Sequence, residues 1–167
     1  MEKIKSSEIS IVRSYGIPLG LFLIALTLIT YLLDIDKEKW LGIVIFFIIE
    51  LAIIYCIQDI KKHTIDPLSF GIAFKSAFIM CLVAILISSV YFIIHINYVD
   101  TNYINAIMEI QRNDMLQNGM SEEGVVKAMK MSAGFNTPIA MTGMGLLINL
   151  IVSSILSAIT AVVMKQE

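Results

Sequence analysis

The chain has 167 residues, of which 57% are apolar and 16% charged, with a net charge of −2 and a mean hydropathy of +0.83. A water-soluble domain carries about one quarter charged residues, so this composition excludes an ordinary soluble fold. No basic stripe exists along which nucleic acid could bind, and nucleic acid is excluded as a partner.

In chain order, the first apolar run covers 15–33 and follows Lys3, Lys5 and Arg13. It is too long for the apolar core of a secretory signal, and Leu32-Leu33-Asp34 offers no small-residue cleavage site. The run predicts an uncleaved anchor. Gly16 and Gly20 lie four residues apart, which lets a neighbouring backbone approach closely. Pro18 between them is expected in the first turns of the helix, where its missing N–H costs little.

The charged segment Asp34-Ile35-Asp36-Lys37-Glu38-Lys39 leads into a second run, 40–57, and this run contains Glu50. Twelve large apolar side chains contribute roughly −5 kcal/mol to insertion, against about +3 kcal/mol for a central carboxylate. The segment is therefore expected to span the bilayer despite the charge.

The third run, 76–94, is entered through Ala73, Lys75 and Ala77, and ends near His95 and Asn97. Ala73, Ala77, Cys81 and Ala84 form a stripe of small side chains on it. The fourth run, 138–164, carries Ser153, Ser157 and Ala161 at four-residue spacing and Asn149 near its middle. Both stripes point to close helix packing. Each run is near the roughly 20 residues that cross about 30 Å of hydrocarbon.

Between the third and fourth runs the segment 97–136 is polar with helical grammar. Thr101 and Asn102 can cap a helix bearing Ile104, Ile107, Met108, Met115 and Leu116, and Asn118-Gly119 stops it. Ser121 can cap a second helix, with Glu122 and Glu123 placed against the positive end of its dipole. Val125, Ala128, Met129 and Ser132 mark its apolar face.

The expected fold is all-α, a single integral membrane domain over 1–167 built as a four-helix bundle. Its spans are approximately 15–33, 40–57, 72–96 and 137–164, with a helical extracytoplasmic insertion at 101–133. Lys and Arg distribution sets orientation. With the amino terminus cytoplasmic, the inner segments hold Lys3, Lys5, Arg13, Lys61, Lys62, Lys75 and Lys165, and the outer ones Lys37, Lys39, Arg112, Lys127 and Lys130. That bias predicts both termini in the cytoplasm of a bacterial cell, with the protein multi-pass in the inner membrane.

The chain resembles one family over nearly its whole length. The stretches carrying the resemblance are Ser14-Tyr15-Gly16-Ile17-Pro18-Leu19-Gly20, Leu68-Ser69-Phe70-Gly71-Ile72-Ala73-Phe74-Lys75, Gly119-Met120-Ser121-Glu122-Glu123-Gly124 and Asn136-Thr137-Pro138. They are similar to the bacterial four-helix membrane proteins catalogued as domain of unknown function 4199. The resemblance implies four transmembrane helices and an extramembrane segment between the last two, and it implies no activity.

Ionisable groups inside a span are functional candidates by default. Spans two and three are antiparallel neighbours, and Glu50 and Lys75 fall at depths that differ by less than a lysine side chain's reach. Three readings follow: an ion pair or a carboxyl satisfied by a nearby Ser, Thr or Tyr; a proton or cation relay centred on Glu50; and lateral assembly with another membrane protein. Asn149 is expected to make an interhelical hydrogen bond, with a substrate contact as the alternative. His95 is expected at the headgroup level, where a polar ring costs little, with external pH sensing as its functional reading.

Seven of the ten methionines lie between Met108 and Met144. Thioethers suit monovalent copper, but no His or Cys joins them, and adaptable apolar surface is the preferred reading. Cys56 and Cys81 read as buried small hydrophobes. No metal site and no cofactor is expected. No hydrolase, metalloprotease or phosphate-loop motif occurs, so the protein is expected not to be an enzyme. Its expected partners are the lipid bilayer and either a second copy or another membrane protein. The expected role is structural or accessory; the alternative is a small transporter or relay using Glu50.

Overall fold

The computed structural model of the chain describes residues 2–38, 40–64 and 67–165, with side chains from residue 9 onward. Lys39 and the side chains of Lys3 and Lys5, which contribute to the charge bias, lie outside the described residues. The described residues form six α-helices and no strand: α1 (Glu2–Leu32), α2 (Leu41–His63), α3 (Phe70–Ile94), α4 (Tyr103–Gln117), α5 (Glu122–Ser132) and α6 (Pro138–Met164). A π-helical turn, His95–Val99, continues α3, and a 3-10 turn, Ala133–Phe135, precedes α6.

α1, α2, α3 with its π-helical turn, and α6 are each long and apolar enough to cross a membrane. Only 22–28% of the residues in their most apolar stretches are buried, so the remainder of each helix turns apolar side chains outward. Leu21, Phe47, Leu86 and Ile151 are all more than 45% exposed. Water would penalise that surface at about 25 cal/mol per Å², whereas lipid tails cover it without cost. The chain is an all-helical, multi-pass membrane protein.

The chain forms two compact units, one of residues up to 88 together with 147 onward, the other of 89–146. The first unit is a four-helix bundle of α1, α2, α3 as far as Ser88, and α6 from Leu147. Its core is lined by Ile49, Ile53, Cys56, Ile57 and Ile60 on α2, by Ala73, Ser76, Ala77, Met80, Cys81 and Ala84 on α3, and by Ser153, Leu156, Ser157, Thr160 and Ala161 on α6. The spacing of three and four residues keeps each set on one face. The small residues of α3 and α6 let the helices approach each other.

α1 uses its glycines on α3. A methyl group on Gly16 would come within 2.9 Å of the Met80 carbonyl oxygen, and one on Gly20 within 2.9 Å of Ile87 Cβ. α1 also begins thirteen residues before the first apolar run, so Pro18 lies in its interior and not in its first turns. The expectation for Pro18 is corrected accordingly. The Ser14 carbonyl loses its i+4 amide donor there, a break that packed membrane helices tolerate.

The second unit contains the end of α3, α4, α5 and the start of α6. α4 closes with a Schellman arrangement in which the Met120 and Gly119 amides donate to the Met115 and Leu116 carbonyls at 3.1 and 3.0 Å. Gly119 adopts φ +84°, a left-handed conformation that favours glycine. Ser121 caps α5 by accepting from the Gly124 amide at 3.3 Å. The Asn102 side chain does not cap α4 as expected; it accepts instead from Asn105 Nδ2 at 3.1 Å. Val125 is buried and Ala128, Met129 and Ser132 are half-buried, which makes theirs the covered face of α5.

Candidate functional site

Hydroxyls within the spans have a default partner, the carbonyl three or four residues back on their own helix. Ser14, Thr27, Thr30, Ser88 and Thr142 all take it, donating to Ile11, Leu23, Leu26, Ile85 and Pro138 respectively. Thr160 does not. Its Oγ1 donates across the bundle to Glu50 Oε1 at 2.6 Å. The bond joins α6 to α2, two helices that run in the same direction.

Glu50 is half-buried and stands about 13 Å along α2 from Leu41, by the rise of an α-helix. Its second oxygen, Oε2, is buried without a hydrogen-bond partner among the described residues, and so is Ser157 Oγ. Ser157 precedes Thr160 by three residues and faces the same side of α6. The Cys81 thiol of α3 lies beside Ser153 and Ser157, but without hydrogen-bond geometry toward Ser157, whose hydroxyl stays unsatisfied. A small cavity lined by Leu19, Leu23, Ile49, Cys81, Ala84, Ile85 and Ser153 adjoins this cluster. Glu50, Thr160, Ser157, Ser153 and Cys81 thus form a polar centre inside an otherwise apolar bundle.

The centre can do two things chemically. It clips α2 to α6 through one short hydrogen bond. Its bare carboxyl oxygen and free hydroxyl also leave lone pairs to which a proton or small cation could add.

The sequence candidates fall out differently. The Glu50–Lys75 ion pair does not form: Lys75 is exposed on α3, while Glu50 bonds to Thr160. The reason is rotation about α3, because Ala73, Ser76 and Ala77 face the core and leave position 75 on the opposite side. Asn149 is exposed and has no hydrogen bond among the described residues, so it makes no interhelical bond within the chain. Gly16, Gly20, Ala73, Ala77, Ser153 and Ser157 are all buried. Thr160 is the member that sequence reasoning missed, although it sits on the same stripe, three residues beyond Ser157.

A second polar cluster lies in the other unit. His95 is 1% exposed, and its Nδ1 is 3.2 Å from the Tyr91 hydroxyl. The expectation of a ring among headgroups is corrected: His95, one helical turn beyond Tyr91 and first in the π-helical turn, is buried. Tyr103 packs edge-on against Phe92, ring centroids 5.5 Å apart, and Asp100 at the end of the turn is buried. Turns of this kind occur often at functional positions.

Fold and polar centre together define a small multi-pass helical membrane protein with an ionisable group inside the bundle. The chain belongs to the family described as Protein of unknown function (DUF4199), whose sequence pattern matches residues 14–166. No curated protein and no solved structure matches the chain.

Proposed function

We propose that the protein is a non-enzymatic accessory protein of the bacterial cytoplasmic membrane, with both termini in the cytoplasm. Its α4–α5 segment stands outside and docks another membrane protein. The observation that carries this reading is the surface of α5 and the turn after it. Val126, Met131 and Phe135 are 64%, 76% and 61% exposed in a segment otherwise rich in charged and polar residues. Exposed apolar side chains in a polar segment are candidate partner contacts, and unbranched methionine adapts to a partner's shape. The Lys and Arg distribution supports the orientation.

The test is a photo-crosslinking amino acid at position 126 in intact cells. Crosslinking to one discrete protein would support docking. Adducts with lipid alone, or no adduct, would refute it.

One observation favours a second reading, a proton or cation relay: the unpartnered Glu50 Oε2 beside the unpartnered Ser157 hydroxyl. A relay needs water at Glu50, whereas a packing bond needs the site dry. Both native cysteines are free and buried, so the assay uses Glu50→Cys in a Cys56→Ala/Cys81→Ala background. Reaction with a water-soluble thiol reagent would support the relay, and silence would oppose it.

A further inference from the structure

Neither reading uses the His63 end of α2. α2 and α6 run in the same direction, and the Glu50–Thr160 bond sets their register. From that level α2 continues thirteen residues to His63, whereas α6 continues only four to Met164. At the rise of an α-helix, α2 overhangs the end of α6 by about 13 Å. An open cleft of about 420 Å³ lies at this step, lined by Gln58, Lys61 and Lys62 of α2 and Met164 of α6. Gln58 precedes the two lysines by three and four residues, so the three side chains share one face of the helix. Lys61 is half-buried, and Gln58 and Lys62 are exposed. None of the three forms a hydrogen bond or ion pair among the described residues. Asp59, the acidic residue of these last turns, is engaged elsewhere. It lies beside Tyr15 of α1, and its Oδ1 is 3.8 Å from His63 Nδ1.

We propose that this cleft binds an anionic phospholipid, with Lys61 and Lys62 on its phosphate and Gln58 on one of its ester carbonyls. The order of side chains along the exposed face of α2 carries the assignment. Leu51 and Tyr55, two turns and one turn before Gln58 on the same face, are 53% and 58% exposed. Gln58 follows, and the two ammonium groups come about 4.5–6 Å further along the axis. A phospholipid presents the matching order toward water: acyl chain, ester carbonyl, phosphate. The carboxamide of Gln58 brings two N–H donors to the depth where ester carbonyls are the available acceptors. Lysines near a membrane surface attract anionic lipid, and basic pockets between transmembrane helices hold phosphate headgroups. Here the lysines also offset the free carbonyls at the helix ends, which would otherwise repel an anion. Charge complementarity selects an anionic lipid over a zwitterionic one, whose own cation would stand among the lysines. The early end of α6 leaves the headgroup its room.

The experiment uses the full chain in phosphatidylcholine vesicles with a trace of spin-labelled phosphatidylglycerol or spin-labelled phosphatidylcholine. The fraction of each label that the protein immobilises gives their relative affinity. The wild type should hold phosphatidylglycerol preferentially, and Lys61→Gln/Lys62→Gln should lower that preference by about fivefold for each lysine. Lys127→Gln/Lys130→Gln, which removes the same charge from α5, should leave it unchanged. Phosphatidylglycerol with ether-linked chains has no ester carbonyl. It should bind the wild type more weakly than the ester lipid does, and Gln58→Leu should abolish that difference. Equal immobilisation of the two labels by the wild type would overturn the proposal. So would a preference that survives in Lys61→Gln/Lys62→Gln, or one that falls as far in the α5 variant. Ether and ester lipid held equally by the wild type would overturn the role of Gln58. Displacement of the label by millimolar inorganic phosphate would assign the cleft to a soluble phosphate and overturn the lipid. Both leaflets of the vesicles carry the label, so the result depends neither on the orientation of the chain nor on docking through α5.

Discussion

Replacing Thr160 by valine tests the polar centre most sharply, because valine keeps the shape and deletes the donor. Glu50 Oε1 would lose its 2.6 Å bond while Oε2 is already without a partner, leaving the whole carboxyl unsatisfied in the bundle. Hydrogen bonds to ionisable groups in soluble proteins are worth about 1.5–3 kcal/mol, but cycles in membrane proteins average about 0.6 and reach about 1.7 kcal/mol. The short distance and the absence of a competing partner place this bond near the upper membrane value, so Thr160→Val should cost about 1.5 kcal/mol. Glu50→Leu should cost far less. It removes the buried polar group itself, and Thr160 can then turn to the Leu156 carbonyl as the other span hydroxyls do.

The double variant should therefore match Glu50→Leu alone, giving a coupling of about 1.5 kcal/mol, a factor of roughly ten in the unfolding constant. Denaturant titration in mixed micelles, read by helical circular dichroism, supplies all four corners of the cycle. Lys75→Leu serves as the control and should couple to Glu50 by no more than about 0.3 kcal/mol, within the error of additivity. A Glu50–Thr160 coupling that small, or a Lys75 coupling of comparable size to the predicted one, would refute the assignment.

Three further predictions concern glycine. Gly16→Ala should destabilise the bundle by about 1–3 kcal/mol through overpacking, because its methyl would meet the Met80 carbonyl at 2.9 Å. Gly143→Ala, with open space around it, should be neutral or stabilise α6 by up to about 1 kcal/mol; thermal melts of the two side by side decide the point. Gly119→Ala should cost about 1–2 kcal/mol, because alanine resists the left-handed conformation. Faster amide exchange at Gly119 and Met120, with α1 and α2 unchanged, would be its signature.

The spans were legible because apolar length is a direct measure of hydrocarbon thickness, and the four helices cover the runs closely. The start of α1 was not, since the run marks where lipid begins and says nothing of a helix continuing past it through the mixed residues 2–14. Pro18 was misplaced for the same reason. The Glu50–Lys75 pairing came from matching depth alone and ignored rotation. The small-residue stripe through Ala73 and Ala77 already implied that position 75 turns away. Thr160 shares the face of Ser153 and Ser157, but threonine in a span ordinarily bonds to its own helix, so its spacing alone does not mark it as the partner of Glu50. The burial of His95 was not legible, because a histidine at the end of a span reads as an interfacial residue. Only the four-residue spacing from Tyr91 hinted at a partner.

Everything rests on the outward apolar faces being covered by lipid, and α2 offers the most direct measurement. Ile43, Phe47, Leu51 and Tyr55 recur every four residues on its exposed side. Spin labels placed at each of them, one at a time in the Cys56→Ala/Cys81→Ala background and reconstituted in liposomes, can be read for collision with oxygen and with a water-soluble nickel complex. Four lipid-facing positions require high oxygen and low nickel collision rates, with the contrast greatest at 47 and 51. Labels open to nickel, or shielded from both reagents, would contradict a membrane-spanning bundle.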